Sequence, residues 1–285
     1  MKAPKGLQPL LDEGIVDEVL RPLKSGKEAS VYLVRCGGTL RCAKVYKDAE
    51  HRGFHKLAAY QEGRRTRGSR DARALGRGGR RGRELQETQW KNAEIEALYR
   101  LDAAGVRVPK PQGVYNSVLL MELVQDADGE PAPRLNDVQP TPEQARQWHA
   151  FMIEQIVRML CTGLIHGDLS EYNVLVDAGG PVVIDLPQAV NAAGNNNAYA
   201  MFARDVDNMR MSFGRAAPEL LVTQYAREIW ALYEASELRP DSPLSGSYVD
   251  EGPEADVGAV LDQIGEARRE AEARQRGREA AEAAD

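Results

Sequence analysis

The chain has 285 residues, a net charge of −6, 42% hydrophobic and 28% charged residues, enough for one large or two-lobed domain with a substantial core. It holds no 18-residue apolar run of the kind that crosses a membrane, the residues after Met1 lack the apolar stretch of a signal peptide, and the acidic balance argues against nucleic-acid affinity of the chain as a whole. Cys36, Cys42 and Cys161 are scattered, without metal-ligand spacing, and are expected to be buried thiols in a reducing, cytoplasmic setting, not disulfides or a zinc site.

In chain order, residues 16–47 predict a β-meander. Residues 16–20 lead through 23–30 into 31–35, and Gly37-Gly38 turns the chain back into 41–46. Residues 51–84 are Gly- and Arg-rich, offer little that packs, and read as a basic flexible loop. A helical pattern over 87–103 (Trp90, Ile95, Leu98, Leu101) stops at Gly105, ahead of Pro109 and Pro111. Residues 118–124 read as a buried strand, followed by a polar hinge over 125–140. Thr141-Pro142-Glu143-Gln144 is a helix start, with Thr as N-cap, Pro at N1 and Gln at N3. The apolar face of that helix (Trp148, Phe151, Met152, Ile156, Met159, Leu160) should run to Gly163. A further helical stretch is expected over 198–234. From Glu254 the tail is rich in Ala, Glu and Arg, with Glu270 and Arg274 at helical spacing, and reads as a solvated single helix.

The most informative segment is His166-Gly167-Asp168-Leu169-Ser170-Glu171-Tyr172-Asn173, followed by Val183-Ile184-Asp185. An Asp, an Asn five residues later and an Asp after a short hairpin form the spacing with which kinase-like folds build a phosphoryl-transfer site. On that pattern Asp168 accepts or orients the acceptor hydroxyl, while Asn173 and Asp185 hold a hard cation, Mg²⁺ or alternatively Mn²⁺. An Asp-rich turn can also merely cap an element, but apolar β-type runs on both sides argue against coincidence. Lys44 lies mid-strand in Ala43-Lys44-Val45, where a lysine ordinarily faces water. Ahead of such a loop it is expected to grip the α- and β-phosphates of ATP, paired with a helix glutamate. Glu94 fits that pairing because it shares a helix face with Leu98 and Leu101, whereas Glu96 lies about 200° away. Ser25-Gly26-Lys27-Glu28-Ala29-Ser30 is placed to cover phosphates, although it has one glycine where G-x-G-x-x-G has three and is not a Walker A loop. Its backbone amides, Gly26 among them, with Ser25, Lys27 and Ser30, are the expected phosphate contacts. Met121 stands at a gatekeeper position, and the Glu122 carbonyl and Val124 backbone are candidates for the adenine edge. His166 should hydrogen-bond the loop backbone; His51, His55 and His149 show no metal spacing.

Together with Lys44-Val45-Tyr46-Lys47, Ala104-Gly105-Val106-Arg107-Val108-Pro109-Lys110-Pro111, Met121-Glu122, Ile184-Asp185-Leu186-Pro187-Gln188 and Arg204-Asp205-Val206-Asp207-Asn208, these segments resemble the RIO family of atypical serine protein kinases over roughly residues 8–235. The resemblance implies an α+β, trimmed two-lobed protein-kinase-like fold. Its β-rich N-lobe would occupy residues 1–124, its mostly helical C-lobe 125–235, and a linker with the charged tail 236–285. It implies ATP and Mg²⁺ as ligands, phosphorylation of serine or threonine, often in the enzyme itself, and in some members a phospho-aspartate, here at Asp185. Gly167 replaces the Arg with which ordinary kinases bind a phosphorylated activation loop, so activation by that electrostatic route is not expected. Pro187 and Gln188 replace a glycine and stiffen the metal-loop turn. Ala217-Pro218-Glu219 imitates the end of an activation segment, but it follows Asp205, the expected buried Asp that should come after such a motif.

Two other readings stay open on the residues. One is a small-molecule kinase of the aminoglycoside or choline type, which shares the His-Gly-Asp-x-x-x-x-Asn loop. The other is a nucleotide-gated ATPase or assembly factor working through an aspartyl-phosphate. Residues 51–83 carry ten arginines and one lysine against Glu62 and Asp71 alone. The segment Gly76-Arg77-Gly78-Gly79-Arg80-Arg81-Gly82-Arg83 is close to RNA-binding Arg-Gly tracts. Contact with RNA or an acidic partner, anchored by Phe54 and Tyr60, and a solvated disordered insertion are equally compatible with it.

Overall fold

A computed structural model describes residues 4–26, 29–47 and 80–248. A five-residue helix, α1 (Gln8–Asp12), precedes three antiparallel strands, β1 (Glu18–Ser25), β2 (Ala29–Cys36) and β3 (Thr39–Tyr46). The helix α2 (Arg80–Ala103) then leads to β4 (Pro111–Tyr115) and β5 (Val118–Glu122). These strands make one antiparallel sheet in the order β1-β2-β3-β5-β4. Strand alternation decides what each face does. Ala43 is buried in a cluster with Leu7 and Leu10 of α1, Val34, Val118 and Leu120. Its neighbours Cys42 and Lys44 turn to the opposite face, where Cys42 is buried with Leu33 and Leu123.

Beyond a 3₁₀ turn (Leu135–Asp137) runs α3 (Pro142–Cys161). Its start is a capping box: Gln144 N–H donates to Thr141 Oγ1 at 3.2 Å and Thr141 N–H to Gln144 Oε1 at 3.0 Å, an arrangement that contributes about 1 kcal/mol. Met152, Ile153, Ile156, Val157 and Leu160 bury the other face in the main core. Gly163, with φ +77°, makes the left-handed turn that a side-chain-bearing residue would resist. Then come β6 (Leu164–Ile165), the hairpin β7 (Val174–Asp177) and β8 (Gly180–Val183), and β9 (Val190–Asn191), which pairs with β6. Two helices close the described chain, α4 (Ala198–Gly214) and α5 (Tyr225–Glu234), separated by the 3₁₀ turn Pro218–Val222. Strand meander followed by helices is the expected α+β arrangement.

Four local expectations need correction. The helical stretch expected over 198–234 is broken, because Pro218 drives Ala217 out of the helical region (φ −131°, ψ 83°) and lacks a backbone donor. Strand β5 ends at Glu122, two residues short of the expected 124. Helix α2 begins at Arg80 rather than 87, so the last residues of the Arg-Gly tract, 80–83, are helical. Cys42 is buried, but Cys36 is only half-buried and Cys161 is exposed, since the last turn of α3 carries it past the core-facing side. Lys27, Phe54, Tyr60, His51, His55, the remainder of the basic segment 51–79 and the tail beyond 248 lie outside the described residues. No described helix is long and apolar enough to cross a membrane.

Candidate active site

A cleft of about 860 Å³ lies under the cleft-facing side of the sheet, lined among others by Gly26, Lys44, Glu94, Met121, Glu122, Val124 and Asp185. The register of β3 places Lys44 opposite Val31 of β2 and Leu119 of β5, central in the sheet. Across the cleft from it, the helical period of α2 buries Glu94 with Ala97, Leu98 and Leu101 while leaving Glu96 exposed. The Lys44 ammonium donates to Glu94 Oε1 and, at 3.0 Å, to Asp185 Oδ1. Side-chain exposure is 12% for Lys44 and 5% for Glu94. Burial works to discharge the ammonium, but the carboxylates of Glu94 and Asp185 outweigh it and hold its pKa above the usual lysine value. Burial likewise opposes ionisation of Asp185, and the Lys44 charge, helped by His166 and Lys24, overcomes it to keep that carboxyl below the ordinary range. Glu94 Oε2 is buried without a hydrogen-bond partner.

The segment after β6 is pinned from three sides. His166 Nε2 donates to the Ile184 carbonyl at 3.0 Å, which leaves Nδ1 to accept the Asp168 N–H at 3.3 Å; the expected backbone role of His166 is thereby met. Asp205 of α4 accepts the N–H groups of Gly167 at 2.7 Å and Leu169 at 2.9 Å, one on each side of Asp168. Asn208 Nδ2 donates to the Leu169 carbonyl at 2.7 Å, and Arg204 to that of Gly167. Asp205 is 2% exposed, as expected of the buried Asp. Burial pushes its carboxyl up to about 6 against the countering pull of His166, the two amides and Arg204. Gly167, at φ +80°, supplies a turn that an Arg there would strain.

Asn173 and Asp185 are brought toward this loop by the β7–β8 hairpin, with Ile184 N–H donating to the Asn173 carbonyl at 3.0 Å. Asn173 donates its amide to the Asp168 carbonyl at 2.9 Å and reaches Asp168 Oδ2 at 3.4 Å. Asp185 sits in the left-handed region at φ +68° with a 42% exposed side chain. A strained backbone that aims a carboxylate into a cleft is characteristic of a working site. These hard oxygen donors fit a divalent cation such as Mg²⁺, which keeps waters and needs one or two protein ligands beside substrate phosphates. The described residues hold no group of three or more His, Cys, Asp or Glu that would make an all-protein cage.

At the other end of the cleft, Val124 spends its carbonyl on the Ala132 N–H at 2.9 Å. That carbonyl already carries one bond, which makes its N–H the readier group for a purine edge. Ser25 and Ser30 hydroxyls meet at 3.1 Å, and Lys47 donates to Ser25 Oγ at 3.2 Å and Gly26 O at 2.6 Å. Lys47, Gln188 and the pair Lys24 and Arg134 in the cleft lining were given no contact in the site from sequence. Burial lowers the Lys24 pKa, with Arg134 adding to the effect. Gln188 Nε2 donates to Asp168 Oδ2 at 3.3 Å. Each acts through a long side chain whose direction only the folded loops determine, so no spacing rule marks it.

Residues 30–226 match the RIO domain family. The chain is 36% identical over 207 residues to the RIO-type serine/threonine-protein kinase Rio1 of Haloferax volcanii, covering 72% of this chain and 67% of that one. It is 31% identical over 208 residues to human serine/threonine-protein kinase RIO1, covering 72% of this chain but 35% of the human protein. With Rio1 of Methanocaldococcus jannaschii it shares 32% over 199 residues, 70% of this chain and 63% of that one. By these matches, the chain belongs to the RIO domain family of serine/threonine protein kinases.

Proposed function

We propose that this chain uses ATP and a divalent cation, Mg²⁺ or alternatively Mn²⁺, to phosphorylate serine or threonine hydroxyls, its own included. The reading rests above all on Lys44, held between Glu94 and Asp185 in a cleft whose Ile184 is hydrogen-bonded to His166 and Asn173 of the Asp168 loop. Lys44 carries a fixed positive charge to the α- and β-phosphates, and Glu94 shares it with Asp185 and anchors it in the cleft. The Glu122 carbonyl and Val124 N–H take the adenine edge, Met121 closes the back, and Ser25, Gly26, Lys27 and Ser30 cover the phosphates. Asp168 aligns the acceptor hydroxyl and receives its proton. Asn173 and Asp185 would hold the cation, which neutralises charge on the transferring group. Catalysis of this kind is mostly positioning and electrostatic stabilisation. The free cysteines are consistent with a reducing cytoplasm, and contact with RNA or an acidic partner through residues 51–83 remains part of the proposal. The family match favours a protein acceptor over the aminoglycoside or choline type.

The test is incubation with γ-labelled ATP and Mg²⁺, beside Asp168→Ala and Asp185→Ala. Acid-stable phosphoserine or phosphothreonine, reduced about 10²–10⁴-fold in both variants, is expected. An alkali-labile acyl-phosphate lost only with Asp185→Ala would replace this reading by the ATPase switch. Near-normal transfer by Asp168→Ala would remove the assigned acceptor base.

A further inference from the structure

A carboxylate that must align a hydroxyl works only if its plane is fixed, because a freely turning Asp presents the right oxygen for a fraction of the time. Asp168 has an exposed side chain, and among the described residues no cation pairs with it. Among the described residues two donors reach its carboxylate, and both go to the same oxygen, Oδ2: Gln188 Nε2 at 3.3 Å and Asn173 Nδ2 at 3.4 Å. The Asn173 contact is the minor arm of an amide whose shorter bond, 2.9 Å, is to the Asp168 main chain. Gln188 is therefore the residue whose side chain has Asp168 Oδ2 as its hydrogen-bonded target. An ionised carboxylate only accepts, so the amide end that faces it must be the NH₂.

The backbone that carries Gln188 is itself held. Pro187, buried, has its φ locked by the ring; Ala189, also buried, closes the turn with its N–H on the Leu186 carbonyl at 3.0 Å. Gln188 lies three residues after Asp185, so one short rigid turn sets both the cation-side carboxylate and the donor that orients Asp168.

We infer that Gln188 is a positioning residue for phosphoryl transfer: its side-chain amide holds Asp168 Oδ2 and leaves Oδ1 aimed at the acceptor hydroxyl. The inference rests on the kinase reading above. It gives the replaced glycine of the metal loop a use beyond stiffness. Because the donor is neutral, Asp168 is oriented without a neighbouring positive charge that would weaken it as a proton acceptor.

Three variants separate this role from simple packing. Gln188→Met keeps length and bulk and loses the donor; kcat is expected to fall about tenfold with KM for ATP and Tm unchanged. Gln188→Glu sets a carboxylate against a carboxylate and should fall further, about 100-fold. Gln188→Lys restores a donor but brings the positive charge that weakens the acceptor, so kcat should recover only in part, to between Gln188→Met and wild type. Gln188→Met within twofold of wild type, or a fall in kcat that tracks Tm or KM, would overturn the inference. Side-chain NMR couplings of Asp168 give a reading independent of turnover: one χ1 rotamer in the wild type and averaging in Gln188→Met is expected. Equal averaging in both would also overturn it. If the wild type shows no Asp168-dependent transfer, the function itself falls; if transfer is normal and the Gln188 series is flat, only this inference does.

Discussion

The Lys44–Glu94 pair makes the sharpest energetic prediction. With 12% and 5% of the two side chains exposed, neither charge can be re-solvated if its partner is removed. Breaking a buried pair from one side costs about 3–5 kcal/mol, since an uncompensated charge is left in the interior. Lys44→Met leaves Glu94 in that state, with Oε2 already unpartnered, and should sit near 4 kcal/mol of destabilisation. Glu94→Gln leaves the ammonium with Asp185 at 3.0 Å, a remaining partner that brings its cost nearer 3 kcal/mol. For a domain of this size 1 kcal/mol corresponds to roughly 2–4 °C, so Tm should fall by about 6–16 °C across the two. The double variant Lys44→Met/Glu94→Leu removes both charges and should recover most of the lost stability while staying inactive. Thermal melts of the four proteins, with and without ATP and Mg²⁺, measure this. Single variants that cost under about 1 kcal/mol each, and simply add in the double, would show that the pair is solvated and the cleft geometry wrong.

Other outcomes follow from buried titratable groups. His149 is 2% exposed, its Nε2 lacks a partner, and its ring lies against Phe213 and Tyr225; burial, with Arg210 nearby, lowers its pKa from 6.5 to about 4. Only the unfolded chain then takes up this proton between those values, so stability is complete above pH 6.5 and falls by about 3 kcal/mol by pH 4. Asp205, raised from 3.8 to about 6, acts in the opposite sense over an overlapping window, so the quantity to measure is the Tm difference between wild type and His149→Phe, which should change with pH; a constant offset would refute the assignment. Asp205→Asn replaces one of two acceptors by a donor facing an N–H. Leaving Gly167 or Leu169 unsatisfied should cost about 1–3 kcal/mol in Tm-derived stability. It should also lower kcat about 10- to 100-fold through misplacement of Asp168, with KM for ATP little changed; kcat within twofold of wild type would refute it.

How much of this was legible depended on whether position in the chain alone dictates position in space. Glu94 could be chosen over Glu96 because a helix advances about 100° per residue and Leu98 and Leu101 mark the inner face; the structure buries the first and exposes the second. Lys44 followed from its place in a strand ahead of the Asp168 loop, and the Asp168, Asn173 and Asp185 set from a loop and hairpin of fixed length. Thr141-Pro142-Glu143-Gln144 gave its helix start because capping is a contact between near neighbours. The break at Pro218 was visible in composition but hidden by helical periodicity on both sides of it. The Val124 carbonyl is engaged by Ala132 through a turn that reverses at Gly129, a pairing set by loop geometry. Gln188, Lys47 and Asp205's two amide contacts are tertiary, and no local pattern encodes them.

The pinning of the Asp168 loop bears on regulation. A kinase whose loop carries Arg before the catalytic Asp makes order conditional, because that cation needs a phosphate to hold the activation segment. Here position 167 is a glycine at φ +80°, with its N–H on Asp205 and its carbonyl on Arg204. Both partners come from α4, whose Phe202, Val206, Met209 and Phe213 are buried in the main core. The loop is thus tied to a core helix of the C-terminal half by bonds already formed without any modification. With Asp168 as the acceptor base proposed above, its order is a property of the fold itself, and control over transfer would act elsewhere: on entry of nucleotide to the cleft, or on access of the acceptor to Asp168.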